Sequence, residues 1–347
     1  MKKAVALVLA LVMAATVLLT GCGQQNGQNK DSSAGSTSGS DAKDQITIRY
    51  GSADAPDLGF VKGIYAFKDY VEEASNGSIK VDTYINGVLG GDRELCEAMQ
   101  IETCDMAVVM GGILANYNPQ FNIFQVPFLF DNKQACYDAM DGAFGEKMSE
   151  LVDQLNFKCL GWADGNTYHI AYSGKPITTI SGLSGMKIRV PEIQMDIDFF
   201  SALGATPTPV SFSETYTALE QKVVDGLEMP IEQMYCSKFM EAVDCITYTG
   251  HLEGAFPILM STACWNKLSD EQKQIVTDGV KKQIEVNRES AKTAEETYIQ
   301  EFVDKGGTVV ELDAGELDKM KSIGEEITAK YVDQIGQDLI DLARSFD

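Results

Sequence analysis

The chain has 347 residues, with 28 Lys or Arg against 51 Asp or Glu, so its formal net charge is -23. Such a charge repels phosphate backbones and argues against nucleic acid as a partner. It does not exclude a small anionic ligand, because one arginine in a closed cleft acts at contact distance in a lowered dielectric.

The first 22 residues are typical of a secretory lipoprotein signal. Two lysines follow the initial methionine, and residues 4–19 form an apolar run that is too short and wrongly flanked for a permanent membrane span. The run ends in LTGC at residues 19–22, the order of small residues before a cysteine that a lipoprotein peptidase needs. We therefore expect a signal peptide over residues 1–21 and a lipid anchor at Cys22. An ordinary signal peptide with an incidental cysteine is the alternative.

The next segment, residues 22–44, contains almost no side chain that a core would bury, so we expect a flexible tether. About 300 residues follow, enough for two lobes with cores of their own. None of their apolar runs approaches the roughly 20 residues of a spanning helix. The predicted location is the extracytoplasmic face of the cell membrane, with the lipid as the anchor.

Seven cysteines remain besides Cys22, and their odd number excludes a complete disulfide framework. They show no CxxC or other metal-ligand spacing. We expect small buried apolar side chains, and neither a metal nor a cofactor.

Strands and helices alternate along the first part of the folded chain. Apolar residues recur with period two at 46–50 and 79–85, which predicts strands, and with helical spacing between them. A helix at 93–101 and a strand at 106–110 follow, and then Gly111, where backbone can approach a ligand. This order predicts an α/β fold with a mostly parallel sheet covered by helices.

A second cycle of the same kind begins near Tyr168. Residues 269–305 contain one glycine and no proline, which predicts one long helix. The other predicted elements are a strand at 187–190, a helix at 195–203, an extended segment at 206–210, a helix at 213–221 with its N-cap region at Ser213, and a strand at 308–312 before a helical end.

Four segments carry a resemblance to a known family. The longest, residues 185–230, reads GMKIRVPEIQMDIDFFSALGATPTPVSFSETYTALEQKVVDGLEMP. NGVLGGDRE at 86–94, VPFLF at 126–130 and residues 160–177 support it. In order, and over the whole mature body, the chain resembles the solute-binding proteins of tripartite ATP-independent periplasmic (TRAP) transporters.

The resemblance implies the two-lobe fold of periplasmic binding proteins, type II-like, with a hinge and one long helix across both lobes. Lobe I is then 45–166 plus about 255–294, and lobe II is 167–254 plus about 295–347. The lobes enclose a ligand, in this family mostly an organic acid. The implied partners are that small organic acid and the small and large membrane subunits of the transporter.

In the family, the arginine of the K-x-R-V-P segment pairs with the ligand carboxylate, and Arg189 stands at that position. A rigid five-donor fork at the end of a strand clamps a carboxylate in a bidentate way that lysine cannot match. An inter-lobe salt bridge is the alternative. Phe212 matches an aromatic that packs on the carbon skeleton of the ligand, with plain core packing as the alternative.

Two positions depart from the family pattern. Met229 stands in DGLEMP where the family often has asparagine, so a thioether replaces an amide. The second basic residue of many members falls on His169, with Tyr168 as its neighbour, and a histidine there is a neutral donor or a pH-sensitive cation. These changes suggest a ligand with one carboxylate and a smaller or less polar remainder than a sialic acid.

Alignment with the first-lobe contact positions of the family places Asp54, Met110 and Gly111 at the cleft. Trp162 lies near the crossing between the predicted lobes and is a further ligand-binding candidate. A buried support at the hinge is the alternative for this tryptophan.

Motifs of catalysis are absent from the sequence, which has no HExxH, GxSxG, Walker-type loop or GxGxxG after a strand. The chain is therefore expected to bind its ligand without chemistry. A binding protein of an ABC importer or a ligand-sensing lipoprotein is the nearer alternative, because these classes share the two-lobe architecture. The long helix together with K-x-R-V-P and V-D-G-x-E favours the TRAP type.

Overall fold

The structure is a computed structural model and describes residues 45–346. The predicted signal peptide, the lipidation site at Cys22 and the tether all lie outside the described residues. The strands are β1 (Ile46–Gly51), β2 (Ile79–Tyr84), β3 (Met106–Val108), β4 (Phe157–Tyr172), β5 (Lys187–Val190), β6 (Thr206–Pro209), β7 (Gly226–Pro230), β8 (Cys245–Tyr248), β9 (Glu253–Ser261) and β10 (Thr308–Glu311).

Helices alternate with the strands along the chain and form its last two described elements. They are α1 (Gly59–Ala74), α2 (Asp92–Gln100), α3 (Lys133–Asp141), α4 (Ala143–Asp153), α5 (Gln194–Ala202), α6 (Thr215–Glu220), α7 (Ile231–Cys236), α8 (Thr262–Lys267), α9 (Asp270–Asp304), α10 (Glu316–Ile335) and α11 (Gln337–Arg344).

Two parallel groups of strands are joined by long antiparallel strands. The strand order is β2-β1-β3-β9-β4-β7-β5-β6, with β8 paired to both β4 and β10. The pairs β1–β2 and β1–β3 are parallel on one side, and β5–β6 and β5–β7 are parallel on the other. Between them, β4 runs antiparallel to β9 and then to β7 and β8. The predicted α/β class is confirmed.

The strand β4 changes its partners at the predicted boundary between the lobes. Residues 157–167 pair with β9, and residues 168–172 pair with β7 and β8. The lobe boundaries themselves stay a prediction. A strand of 16 residues is long, and its alternation is hidden in the sequence because residues 162–166 are buried in succession.

The helix α9 is one element of 35 residues, as the sequence predicts. Ser269 accepts a hydrogen bond from the Gln272 backbone N–H, and the Gln272 side chain accepts one from the Ser269 backbone N–H, which is a capping box. The helix packs closely on α1. A Cβ on Gly63 of α1 would lie only 2.7 Å from the Gln283 carbonyl oxygen of α9. The helix also contacts β4, α7 and β10, so together with its contact on α1 it touches elements of both predicted lobes.

The element predictions agree with the structure within a few residues, with one error at a helix start. Ser213 does not cap a helix, since residues 212–214 form a 3₁₀ turn and α6 begins at Thr215 without a side-chain cap. The Ser213 hydroxyl lies instead 3.3 Å from the Ser211 hydroxyl.

Candidate ligand-binding site

A cavity of about 50 Å³ lies where strands of both parallel groups end. Carboxyl ends of parallel strands are the usual place for a ligand in an open α/β sheet. Asp54 follows β1 and Met110 follows β3, while Arg189 lies at the end of β5 and Met229 at the end of β7. The lining residues are Asp54, Asp92, Arg93, Glu94, Met110, Ile113, Tyr168, Arg189, Pro191, Glu192, Ser211, Phe212, Glu228, Met229, Gln233 and Phe256.

Arg189 is the cation at the centre of this lining. Its side chain is 4% exposed, and its Nε donates a hydrogen bond to the Val210 carbonyl oxygen at 2.9 Å. Within residues 45–346 the two terminal nitrogens make no hydrogen bond and no ion pair. Burial lowers the pKa of Arg189, and the surrounding acidic side chains oppose that shift, so the guanidinium stays charged. Two parallel donors are therefore free for a carboxylate.

Two aspartates share this lining with Arg189, one after β1 and one at the start of α2. Asp54 is buried, and its carboxylate accepts hydrogen bonds from the Ser52 hydroxyl at 2.9 Å and the Gln233 amide at 3.1 Å. Asp92, at the start of α2, accepts one from the Met110 N–H at 2.9 Å. Burial raises the pKa of Asp54 to about 6, and burial together with the Asp54 charge raises the pKa of Asp92 to about 7.

Glu228 in β7 is the third carboxyl group of the cavity and is 2% exposed. Its Oε1 has no hydrogen-bond partner in the described part of the chain, and its Oε2 lies 3.7 Å from the His251 Nε2. Burial lowers the pKa of His251 to about 3, so this neighbour is neutral. Burial also raises the pKa of Glu228, and of Asp196 behind it, while the Arg189 charge opposes both shifts.

The apolar part of the lining includes four of the residues expected from the sequence. Phe212, whose ring also lies 5.6 Å from that of Phe239, joins Tyr168, Met110 and Met229 at the cavity. These side chains would cover the carbon skeleton of a ligand and exclude water from it. Their role as ligand contacts stays a prediction.

The alternation of β4 separates Tyr168 from His169. Tyr168 lines the cavity, whereas the His169 Nδ1 accepts hydrogen bonds from the Thr249 and Gly250 N–H groups, each at 3.2 Å. The His169 Nε2 lies 3.7 Å from a carboxylate oxygen of Glu295 in α9. Tyr168 therefore faces the cavity. His169, the position at which the family pattern predicts a basic residue, is not among the lining residues.

Two further candidates lie outside the cavity lining. Trp162 is 4% exposed, its ring lies 5.1 Å from that of Phe124, and its Nε1 donates to the Ser149 hydroxyl at 3.3 Å. Gly111 is enclosed by protein, because a Cβ there would lie 2.7 Å from the Ala255 carbonyl oxygen. Close packing of the backbone explains why a glycine stands at position 111. The surroundings of Trp162 agree with the alternative of a buried support at the hinge.

Sequence reasoning overlooked the carboxyl groups of the cavity other than Asp54. Asp92 and Glu228 both lie inside the segments that carry the family resemblance, NGVLGGDRE and VVDGLEMP. An acidic residue directly after a glycine turn and another within a buried strand were the available signals. Phe256 and Ile113 were missed because nothing in their sequence surroundings distinguishes them from core residues.

In residues 45–346 no helix is long and apolar enough to cross a membrane. The same residues contain no group of three or more His, Cys, Asp or Glu side chains placed to hold a metal ion. The cavity combines a cation, carboxyl groups and apolar surface, and such a combination suits the binding of a small polar molecule.

Two strand groups, a long helix across them and a cavity between strand ends define a two-lobe solute-binding protein of the periplasmic kind. Residues 53–334 match the family model of bacterial extracellular solute-binding proteins, family 7. The chain belongs to this family, and it is a TRAP-type solute-binding protein.

Relatives of known structure carry small acids. A sugar acid binding protein from Advenella mimigardefordensis, in complex with galactonate, is 27% identical, with a TM-score of 0.84 over 87% of this chain and 99% of that one. A TRAP periplasmic solute-binding protein from Sulfurospirillum deleyianum, with bound succinate, is 27% identical, with a TM-score of 0.83 over the same shares. A solute-binding protein from Verminephrobacter eiseniae is 29% identical over 303 residues, 87% of this chain and 89% of that protein.

Proposed function

We propose that the chain captures a small organic acid in this cavity and delivers it to the membrane subunits of a TRAP transporter. The observation that carries the proposal is the guanidinium of Arg189, which is buried and held at Nε while its terminal nitrogens keep their donors for another partner. A buried charge without an ion pair is costly, and an entering carboxylate would remove that cost. The acids bound by the two solved relatives support this ligand class.

Enclosure of the ligand follows from contacts between the two predicted lobes. The Gln233 amide donates to Asp54 at 3.1 Å, and the Gly59 N–H donates to Glu232 at 3.1 Å, each across the predicted boundary. A ligand that touches both Arg189 and the first-lobe side of the cavity prefers the closed arrangement. Its binding shifts the population toward that state, which is the form that docks on the membrane subunits.

The ligand is expected to be small. A cavity of about 50 Å³ is far below the roughly 300–1,000 Å³ of pockets for drug-sized molecules. Met229 presents a thioether where the family often has an amide, and Tyr168 rather than the basic candidate His169 lines the cavity. A polyhydroxylated acid would find few partners on that side, so we favour one carboxylate with a short remainder.

The lipid anchor at Cys22 completes the proposed function. It would hold the protein at the extracytoplasmic face, where the tether of residues 22–44 lets the folded part reach the membrane subunits. The family resemblance implies that an ion gradient across those subunits supplies the energy of transport.

The experiment is a thermal-shift and calorimetric screen of the purified protein against small mono- and dicarboxylates. A ligand that binds the folded state raises Tm, because at a concentration of 100 times Kd it adds about 2.7 kcal/mol to the free energy of unfolding. Arg189→Ala and Arg189→Lys should remove most of this rise, whereas Arg344→Lys in α11, outside the lining, should keep it. If no carboxylate binds, or if binding survives Arg189→Ala, the proposed function is wrong.

A further inference from the structure

The cavity contains more negative than positive groups, which is unexpected for a site that takes a plain anion. Arg189 is its buried cation, and Asp54, Asp92 and Glu228 are three carboxyl groups in the same lining. At the rim, Arg93 already pairs with Glu94 at 3.0 Å, so it adds little free positive charge. A ligand carboxylate satisfies Arg189 and leaves the carboxyl groups in excess.

We infer that the natural ligand is a small zwitterion, with its carboxylate on Arg189 and an ammonium group between Asp92 and Asp54. This inference rests on the proposed function, because it keeps the same cavity and the same arginine. An ammonium group offers up to three donors for the remaining lone pairs of these carboxylates, and a positive charge to balance them.

The open acceptors of the cavity support a donor-rich ligand. The Asp92 carboxylate has one hydrogen bond, from the Met110 N–H, so further lone pairs are available. Glu228 Oε1 is buried and has no partner among the described residues, although Glu228 lines the cavity. A buried acceptor without a donor is unfavourable, and a ligand donor would remove this cost.

Charge balance favours an ammonium over a hydroxyl group at this position. A hydroxyl group donates one hydrogen bond but leaves the repulsion between Asp54 and Asp92 unchanged, and an acid with hydroxyl groups still adds a negative charge. An ammonium neutralises one carboxylate and attracts the other, and in a site closed to water this attraction is weakly screened. The rings of Phe212, Tyr168 and Phe256 in the same lining also tolerate a cation at their faces.

The test compares matched ligands that differ in one group. Isothermal calorimetry would compare glycine with glycolate, β-alanine with 3-hydroxypropionate and 4-aminobutyrate with 4-hydroxybutyrate, and would include N-trimethylated glycine. We expect the amino member of at least one pair to bind 10-fold or more tightly than its hydroxy partner. Asp92→Asn and Asp54→Asn should remove this preference, and Glu97→Gln, at an exposed position of α2 outside the lining, should keep it.

A second measurement needs no variant. Binding enthalpy in buffers of different ionisation enthalpy reports protons taken up or released. A zwitterion keeps the aspartates ionised, so binding should release protons or leave their number unchanged near neutral pH. A plain anion requires protons to be taken up by the carboxyl groups.

The outcomes separate this inference from the proposed function. If hydroxy acids or simple carboxylates bind as tightly as the amino acids, with proton uptake and dependence on Arg189, the zwitterion is wrong and the proposed function stands. If no member of any pair binds while another carboxylate of the screen binds through Arg189, the zwitterion is wrong and the proposed function stands. If no carboxylate binds in either experiment, both are wrong.

Discussion

Glu232 accepts a hydrogen bond from the backbone N–H of Gly59 at 3.1 Å, although the two residues lie 173 positions apart and in different predicted lobes. The same carboxylate also accepts hydrogen bonds from the Ser290 hydroxyl at 3.2 Å and the Asn166 amide at 3.0 Å. One buried side chain of α7 thus holds the start of α1, the strand β4 and the helix α9.

Glu232→Gln should weaken ligand binding although Glu232 does not line the cavity. One carboxylate oxygen becomes a donor, so at least one of the three donors loses its acceptor in a buried position, which costs about 1–3 kcal/mol. If these bonds form only on closure, Kd rises roughly 5- to 150-fold. Calorimetry with the ligand found in the screen measures this. Glu241→Gln, at an exposed position, is the control, and an unchanged Kd in Glu232→Gln would show that the bonds persist in the open form.

The ligand-free protein should become more stable as the pH falls from about 8 to about 6.5. Burial raises the pKa of Asp92 and Glu253 to about 7 and of Asp54 to about 6, so the folded state binds more protons than the unfolded state in this window. The unfolding free energy therefore decreases as the pH rises through these values. Below about pH 6.5 the neutral, buried His251 opposes the gain, since the unfolded chain then protonates its histidine.

Differential scanning fluorimetry across this range measures the effect. Asp92→Asn should flatten the slope of Tm against pH, because the amide keeps an acceptor for the Met110 N–H but does not titrate. Asp69→Asn, on the exposed side of α1, should leave the slope unchanged. A Tm that rises with pH between 6.5 and 8 would contradict the account.

Gly63→Ala should destabilise the fold by about 1–3 kcal/mol through overpacking. The added methyl group would lie 2.7 Å from the Gln283 carbonyl oxygen and 3.0 Å from its Cγ. Gln283 cannot move freely, because it is fully buried and hydrogen-bonded to the Tyr50 hydroxyl at 2.8 Å. Urea unfolding of the ligand-free protein measures the loss. Lys62→Ala, one residue earlier and exposed, should change little, and equal stability of the two variants would contradict the expectation.

Cys22→Ser should prevent lipidation and release the protein from the membrane anchor predicted from the sequence. Cell fractionation, with the mass of the N-terminal peptide, measures both effects. Cys236→Ser removes a partly exposed thiol of the described part of the chain and should leave the protein in the membrane fraction. Retention of Cys22→Ser at the membrane in the same amount would contradict the lipid anchor.

The order and type of many elements could be predicted because their periodicity is local. The strand at 46–50, the helix at 93–101 and the helix at 269–305 agree with β1, α2 and α9 within two residues at each end. The strand β4 was not predicted, since it changes partners in the middle and is buried on both faces near residues 162–166. Its signal depends on neighbours that are distant in sequence.

The candidate site could also be predicted only in part from the sequence. Arg189 was placed from a motif, and the structure locates it in the cavity lining with Asp54, Met110, Tyr168, Phe212 and Met229. Which of Tyr168 and His169 faces the cavity depends on the phase of β4, and a shift of one residue exchanges the faces of a strand. The charge excess around Arg189 was not foreseen, because Asp92 and Glu228 meet only after the strands are assembled.

The continuous course of β4 limits how the protein can be divided. Its first residues belong to the hydrogen-bonded ladder of β9, and its last five belong to the ladders of β7 and β8. On the predicted boundaries, the chain crosses between lobes three times, in β4, in β9 and in α9. A chimera that takes one lobe from a relative therefore needs three junctions, two within strands and one within a helix. Neither lobe is expected to fold when it is expressed alone.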